Sequence, residues 1–139
     1  MLKERLLEQL VEVYLTKESW HRSKLTPEDA RQYYAYMLEN DRIIYAESED
    51  RVVGYVEYWC LNEVQFNRFI RKRPFCVYEE DLTRGEVSYI MDIYIDKEYR
   101  NKWVIRTLKK EYFEKTKDCI WHTGEEVNHG RRLRIFNRR

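Results

Sequence analysis

The most constraining feature of this 139-residue sequence is a strand, turn, helix and strand that follow one another between residues 86 and 123. Residues 86–95 (EVSYIMDIYI) are rich in the β-branched and aromatic residues typical of strands. In WVIRTLKKEYFEKTK, Val104, Leu108 and either Tyr112 or Phe113 recur at helical spacing and should face inward. The run CIWHT predicts a second strand. A helix between two strands predicts a parallel pair with a right-handed crossover.

Alternation within residues 86–95 predicts which side chains share a face of the sheet. Successive side chains of a regular strand point to opposite faces. One predicted face is apolar and comprises Val87, Tyr89, Met91, Ile93 and Ile95. The other carries two carboxylates and comprises Glu86, Ser88, Asp92 and Tyr94.

The N-terminal part predicts two helices. Residues 2–17 place apolar side chains at helical spacing. The second helix has a clear start, because Thr26 suits the N-cap, Pro27 suits the first turn, and acidic residues follow them. Asn40 and Asp41 end it.

A β-hairpin is predicted next, over residues 42–60 with a polar turn at residues 47–50. Gly54 inside its second strand indicates a bulge or a close backbone approach. The following LNEVQFNRFIRKRP fits either a short helix or a basic connector. The whole pattern predicts one α/β (α+β) domain over residues 1–139, with a mixed central sheet, two N-terminal helices and a βαβ core.

Basic residues accumulate in the C-terminal RRLRIFNRR. They alternate with apolar residues there, and this pattern predicts a charged edge strand. With RFIRKR, the run from Arg68 to Arg73, this tail could instead form a basic surface for RNA, phosphate or an acidic protein. The edge strand is favoured, because Leu133 and Ile135 alternate with arginines as in a half-buried strand. The net charge of +1 does not by itself point to nucleic acid.

Several protein classes do not fit the sequence. No apolar run approaches the roughly 18 residues of a membrane span, and the N-terminus lacks a secretory h-region. Cys60, Cys76 and Cys119 are odd in number and lack framework spacing, so we expect free thiols in a cytoplasmic protein. Cys119 and His122 would face opposite sides of a strand, and we expect no metal site.

A basic turn, YRNKW, separates the long strand from its helix. The first N–H groups of a helix have no partner within the helix, and together with the helix dipole they favour an anion. Arg100, Lys102 and Arg106 cluster around this position. The turn therefore predicts an anion site, although it lacks the glycines common in phosphate-binding loops.

These elements resemble the GNAT superfamily of N-acetyltransferases. Two helices, a hairpin containing VVGYVEYW and the strand VSYIMDIYIDKEYR lead into a loop resembling the family signature Arg/Gln-x-x-Gly-x-Gly/Ala, followed three residues later by Leu or Ile. Arg100 and Leu108 match this signature, whereas Trp103 and Ile105 replace its small residues. In the family, those small residues let backbone amides approach the pyrophosphate of acetyl-coenzyme A. Trp103 would either point away from the cofactor or occupy its place.

The resemblance implies acetyl-coenzyme A as the cofactor and acetyl transfer to an amine as the reaction. Asn128 resembles the family's asparagine that contacts the pantetheine arm. The implied cofactor-binding residues are Ile93, Tyr94, Ile95, Arg100, Asn101, Lys102, Trp103, Val104, Ile105, Arg106 and Asn128.

Candidate catalytic residues follow from the needs of amide formation, which are a neutral amine and a proton for the leaving thiolate. Asp92 and Glu86 on the strand and His122 at the end of CIWHT are the candidates, with Glu57 on the hairpin as a further carboxylate. The structural alternatives are a buried, paired carboxylate for Asp92 and a polar strand-end residue for His122. The family usually has a tyrosine beyond the asparagine that contacts the pantetheine arm, and this tyrosine acts as the acid. No tyrosine follows Tyr112 in this sequence, so that role has no counterpart here.

Two functions remain open at this point. The first is an N-acetyltransferase for an amine acceptor. The second is an inactive GNAT-fold binding or regulatory protein, blocked by Trp103, that binds an acidic protein or, less favoured, a nucleic acid through its basic C-terminal surface. Either a monomer or a homodimer fits the sequence.

Overall fold

The computed structural model describes residues 2–16, 25–71 and 80–121. This part of the chain contains four α-helices, one short 3-10 helix and four strands. In order they are α1 (Lys3–Thr16), α2 (Pro27–Glu39), β1 (Ile43–Ser48), β2 (Arg51–Leu61), α3 (Glu63–Ile70), β3 (Val87–Ile95), a 3-10 helix (Lys97–Tyr99), α4 (Trp103–Lys115) and β4 (Ile120–Trp121). None of the described helices combines the length and hydrophobicity that a bilayer span needs.

The four strands form one mixed sheet in the order β1-β2-β3-β4. The pairs β1–β2 and β2–β3 are antiparallel. The pair β3–β4 is parallel, with Val87 opposite Ile120 and Ser88 opposite Trp121. The predicted mixed sheet and parallel βαβ unit are therefore confirmed, while the hand of the crossover stays a prediction.

Each face of the sheet carries its own apolar cluster. On one face, called the α1–α2 face below, side chains of α1, α2 and α3 pack against β2 and β3 around Leu10, Tyr34 and Trp59. On the other, called the α4 face, Leu108 and Tyr112 of α4 pack against the opposite side of β1, β2 and β3. Burial of Val104, Leu108 and Tyr112 confirms the predicted inward face of this helix.

The start and end of α2 are those predicted from its sequence. The Thr26 hydroxyl accepts a hydrogen bond from the Asp29 N–H at 3.1 Å, and Pro27 occupies the first turn. The Asn40 N–H caps the other end by donating to the Tyr36 carbonyl. Local side-chain chemistry therefore marks where this helix begins and ends.

The hairpin between β1 and β2 closes through Glu49 and Asp50, whose φ angles are 51° and 63°. Two consecutive residues in this region make the tight turn whose twist matches the two strands. Gly54 lies where a Cβ would be 2.6 Å from Val104 Cγ1, which confirms the predicted close approach. The absence of a side chain there lets the start of α4 lie directly on β2.

The stretch after β2, which fitted either a helix or a connector, forms helix α3. Its start is a capping box, in which the Asn62 side chain accepts from the Gln65 N–H and the Gln65 side chain accepts from the Asn62 N–H. Arg68 near the end of α3 pairs with Glu80 at 3.0 Å. The predicted C-terminal edge strand lies outside the described residues.

A β-bulge overturns part of the predicted side-chain pattern of β3. Glu57 is opposite Asp92 but Tyr58 is opposite Ile90, so Met91 is an extra residue. The extra residue reverses the alternation. Before it, Val87, Tyr89 and Met91 belong to the α1–α2 cluster, as expected for one face; after it, Ile93 and Ile95 pack with the α4 cluster. The prediction of a single apolar face was therefore wrong for the second half of the strand.

Candidate active site

The loop between β3 and α4 has a defined conformation although it lacks glycine. Asp96 accepts a hydrogen bond from the Glu98 N–H at 3.0 Å and pairs with Arg51 at 2.5 Å. The Arg51 hydrogen bond and the Glu98 N–H hold the pKa of Asp96 below its ordinary value. Asn101 has a φ of 69°, in the left-handed region that Asn tolerates better than most residues. Its place in a charged turn is the sequence signal for this role.

Helix α4 begins without a side-chain cap. Lys102 occupies the N-cap position, its side chain makes no capping hydrogen bond, and the first turn contains no acidic residue. By contrast, Thr26 caps α2 and Asn62 caps α3. The first N–H groups of α4 thus lack a capping side chain, and no carboxylate offsets the positive end of the helix dipole. This geometry suits an anion.

Three exposed cations surround this helix start, as predicted. Arg100 extends just before it, with Nε 3.4 Å from the Ile95 carbonyl. Lys102 places Nζ 5.6 Å from the centre of the Tyr99 ring. Arg106 lies on an exposed position of the first helical turns. The three cations therefore lie around the start of α4, and anion binding at this position stays a prediction.

Trp103 occupies the first position of α4 and is 44% exposed. Its ring lies edge-on to Tyr99, with 6.5 Å between ring centroids. The next residue, Val104, is fully buried against Gly54. The tryptophan therefore does not fill the core between α4 and the sheet, and Val104 makes that contact. Ile105 is half-buried.

The second half of β3 approaches this loop. Ile93, Tyr94 and Ile95 are half-buried, whereas Val87 and Ser88 at the start of the strand are buried. Among the described residues, β4 pairs with Val87 and Ser88 alone. The three strand residues predicted to bind a cofactor thus lie beyond the short β3–β4 pairing and directly before the basic loop.

The two carboxylates predicted on one face of β3 are separated by the structure. Glu86 is exposed, precedes the strand and accepts the Ile120 N–H through its carbonyl at 2.8 Å. Asp92 lies beyond the bulge, is buried, and accepts from the Ile93 N–H at 3.0 Å and the Tyr55 hydroxyl at 3.5 Å. The prediction that they share a face was wrong, because the bulge places Asp92 on the α1–α2 face.

The structure instead brings Asp92 together with Glu57. These residues are directly opposite one another on β3 and β2. Glu57 is 1% exposed, and its carboxylate accepts the Tyr33 hydroxyl at 2.5 Å and the Tyr34 hydroxyl at 2.9 Å. Trp59 Nε1 donates to the Tyr33 oxygen at 2.8 Å. The isolated glutamate within VVGYVEYWC was the sequence signal for this cluster.

The tyrosines around Glu57 are held in their protonated form. Burial is the main cause that raises the pKa of Tyr33 and of Tyr34 well above 10.0, and the charge of Glu57 adds to it. For Tyr55, burial comes first and the charge of Asp92 second. All three hydroxyls are therefore available as hydrogen-bond donors across the physiological pH range.

Two predicted site residues, His122 and Asn128, lie outside the described residues. Over residues 2–16, 25–71 and 80–121, no group of three or more His, Cys, Asp or Glu side chains is placed to hold a metal ion. Within the described residues, the candidate site consists of three parts. They are the basic start of α4, the second half of β3, and the carboxylate pair beside the bulge.

The sequence and the fold were compared with known proteins. The model of the acetyltransferase (GNAT) family matches residues 5–133. No curated protein sequence matches the chain. The solved structures with a similar fold include an N-acetyltransferase from Staphylococcus aureus Mu50, at 15% identity and a TM-score of 0.48 over 82% of this chain. They also include a ribosomal-protein-alanine N-acetyltransferase from Brucella melitensis, at 22% identity and a TM-score of 0.48 over 82% of this chain.

An acetyltransferase from Trypanosoma brucei aligns at 18% identity and a TM-score of 0.47, over 90% of this chain and 81% of its own length. The chain spans 59% of the length of the Staphylococcus protein and 60% of the Brucella protein.

Proposed function

Since this chain belongs to the acetyltransferase (GNAT) family, we propose that it transfers an acetyl group from acetyl-coenzyme A to an amine. The observation that carries the proposal is the start of α4, an uncapped and acid-free helix N-terminus ringed by Arg100, Lys102 and Arg106. Such a start is suited to a pyrophosphate. It lies at the end of the strand that carries Asp92.

The described residues fit the cofactor in two respects. Asn101 adopts a left-handed φ without glycine, and the first N–H groups of α4 lack a side-chain cap because Lys102 at the N-cap makes no such hydrogen bond. Beyond the β3–β4 pairing, Ile93, Tyr94 and Ile95 lie where backbone groups could pair with the amides of a pantetheine arm, as an added strand pairs with a sheet edge. Asn128 stays a predicted contact to the same arm.

We further propose Asp92 as the group that takes the proton from the acceptor amine. When bound, the cofactor supplies the activated acetyl thioester. Asp92 lies at the bulge of β3, directly before the proposed cofactor-binding residues. Its side chain accepts a hydrogen bond from the Ile93 N–H. Glu86, exposed at the opposite end of β3, has less support for this role. His122, which lies outside the described residues, remains an alternative proton acceptor.

Calorimetric titration with acetyl-coenzyme A and with coenzyme A tests this function. Saturable binding is expected, and Arg100→Ala should weaken it about 10-fold to 150-fold, since a lost charge-assisted hydrogen bond to phosphate is worth roughly 1.5–3 kcal/mol. Lys110→Ala is the matched control, because it removes an exposed cation from the same helix two turns away. Wild-type protein that does not bind at millimolar concentration would contradict the proposal.

A second function is favoured by one observation, the large side chains of Trp103 and Ile105 in place of the family's small residues. In this alternative the chain is an inactive binding or regulatory protein for an acidic protein partner. The side chain of Trp103 is half-exposed, and this position is compatible with either function. Coenzyme A binding that arises in Trp103→Gly but not in wild type would favour the binding protein; equal binding by both would favour the enzyme.

A cytoplasmic location is proposed for the protein. The free thiols of Cys60 and Cys119 are consistent with a reducing compartment.

A further inference from the structure

Two free thiols that are far apart in the sequence lie next to one another on the α4 face of the sheet. Cys60 is 3% exposed and belongs to the apolar cluster that contains Leu108 and Tyr112 of α4. Cys119 is half-buried and lies in the connection between α4 and β4. The Cys60 thiol donates a hydrogen bond to the Cys119 sulfur. The fold thus brings together two cysteines whose spacing in the sequence gives no sign of a pair.

The strand pairing explains why these thiols meet. Cys60 of β2 is opposite Ser88 of β3, and Ser88 is in turn opposite Trp121 of β4. The Ser88 hydroxyl lies 2.6 Å from the Tyr112 hydroxyl, so this row of residues is next to α4. The chain then passes from α4 into the sheet, and Cys119 is the last residue before β4. The contact between the thiols therefore follows from the βαβ crossover itself.

The two cysteines differ in how firmly their backbones are held. Both backbone groups of Cys60 are hydrogen-bonded, the N–H to the Leu82 carbonyl and the carbonyl to the Gly85 N–H, each at 2.8 Å. Cys119 lies outside the helices and strands, and its N–H donates to the Thr116 carbonyl. The sulfurs of a disulfide are roughly 2.05 Å apart, so two thiols in contact must still approach one another to form one. Movement of Cys119 in its short connection can provide this approach while β2 stays in place.

The groups around the thiols indicate which one reacts first. Burial raises the pKa of the Cys60 thiol to about 12, and the charge of Arg42 opposes this rise. Burial also raises the pKa of Cys119, while the hydrogen bond from Cys60 and the charge of Arg42 oppose it. Reaction with an oxidant requires access as well as thiolate character. The half-exposed Cys119 is therefore the thiol that an oxidant should reach first.

We propose that Cys60 and Cys119 form a redox-responsive pair, which hydrogen peroxide converts to a disulfide between β2 and the α4–β4 connection. The Cys119 sulfur attacks one peroxide oxygen, the O–O bond breaks, and the departing hydroxide takes the thiol proton and leaves as water. Cys60 then attacks the sulfur of the Cys119 sulfenic acid. The S–S bond forms, the S–O bond breaks, and the hydroxide leaves with the Cys60 proton as a second water. The two thiols together lose two electrons, and the peroxide gains them.

The disulfide would tie the end of the βαβ crossover to the neighbouring strand β2. Within the described residues, β4 is held to β3 through Val87 and Ser88 alone. A bridge from Cys60 to Cys119 closes a loop over residues 60–119, and such a loop restricts the unfolded chain. Oxidation should therefore stabilise the fold. This response does not depend on the proposed acetyl transfer, because neither cysteine is part of the candidate active site.

Mass spectrometry of the wild-type chain tests the bridge. The protein is treated with hydrogen peroxide, its remaining thiols are blocked with N-ethylmaleimide, and it is digested without reductant. We expect one pair of peptides joined through Cys60 and Cys119, with the loss of two hydrogen atoms, and we expect dithiothreitol to separate them. Cys76→Ser is the matched control, because it removes the third cysteine and should leave the joined pair unchanged. Oxidised protein without this joined pair would overturn the proposal.

The order of the two steps is tested with dimedone, which labels sulfenic acids. In Cys60→Ala, Cys119 has no partner thiol, so peroxide should let dimedone label Cys119. In Cys119→Ala, the buried Cys60 should stay unlabelled. Labelling of Cys60 in Cys119→Ala, without labelling of Cys119 in Cys60→Ala, would overturn the assignment of Cys119 as the first thiol to react. The wild-type mass spectrum tests the pair even if one of these variants does not fold.

Thermal unfolding tests the stabilising effect of the bridge. Peroxide should raise the midpoint of wild type and of Cys76→Ser by roughly 5–15 °C, as expected for a disulfide that closes a long loop in a chain of this size. The midpoint of Cys119→Ala should not rise. A wild-type midpoint that is unchanged after the joined peptides have formed would overturn the stabilising role. These experiments use no coenzyme A, so their failure would be distinct from a failed acetyl-coenzyme A titration.

Discussion

The two halves of β3 have the same kind of sequence but different surroundings. Before the bulge, Val87, Ser88 and Tyr89 are buried, with β2 on one side and β4 on the other where the strands pair. After the bulge, Ile93 and Ile95 are half-buried and lead into a basic loop. The first half resembles an ordinary central strand. The second half has the partial exposure and the neighbouring charge that a binding site needs.

The single extra residue at Met91 separates these halves. It lets the apolar residues of the first half face α1 and α2, while those of the second half face α4. The same shift leaves Asp92 on the α1–α2 face, opposite Glu57. Bulges commonly redirect a side chain next to an active site. We therefore expect the first half of β3 to contribute mainly to stability, whereas the proposed chemistry involves the second half.

The largest predicted difference between the two halves of β3 is in the free energy of unfolding. Tyr89→Ala in the first half removes a buried ring that packs edge-on to Phe69 and beside Phe66. It should lower the free energy of unfolding by about 3–5 kcal/mol. Ile93→Ala in the second half removes a half-buried side chain and should cost only about 1–2 kcal/mol. Urea unfolding measures both losses. Equal losses would contradict the larger contribution of the first half to stability.

A smaller effect is expected in the loop that follows β3. Asn101→Val places a β-branched residue at a φ of 69° and should destabilise the fold by about 1–2 kcal/mol. Asn101→Gly is the matched control, because glycine adopts this φ freely and should cost nearly nothing. Thermal unfolding compares the two variants. If they were equally stable, Asn101 would not be the residue that sets the turn.

The smallest predicted effect is a pH dependence at the end of β3. The Arg51 hydrogen bond holds the pKa of Asp96 below 3.8 in the folded protein. The ion pair therefore contributes stability above about pH 3.8, and this contribution is lost as the pH falls through the lower folded value. Because Arg51 is half-exposed, Asp96→Asn should destabilise the fold only slightly at neutral pH and not at all in strong acid. A cost that is the same at both pH values would contradict this assignment.

Much of the fold could be predicted from the sequence, because the decisive signals are local. Thr26 and Pro27 mark the start of α2, and the spacing of Val104 and Leu108 marks the buried side of α4. The bulge could not be predicted, because it depends on the pairing of Glu57 with Asp92 across two strands. The predicted faces of β3 consequently failed after Met91.

The candidate site was predictable only in part. The cations Arg100, Lys102 and Arg106 could be placed at the start of a helix from spacing alone. The absent cap of α4 and the left-handed Asn101 could not, since both depend on the backbone conformation. The association of Asp92 with Glu57 also required the strand register, and the sequence had instead grouped Asp92 with Glu86.

An NMR titration with coenzyme A can locate the cofactor by following the backbone amides of the two halves of β3 and of α4. We expect saturable shifts for Ile93 to Ile95 and for the first residues of α4, including Val104, with little change at Val87 and Ser88. Shifts confined to the first half of β3, or no shifts in either half at millimolar coenzyme A, would contradict this expectation.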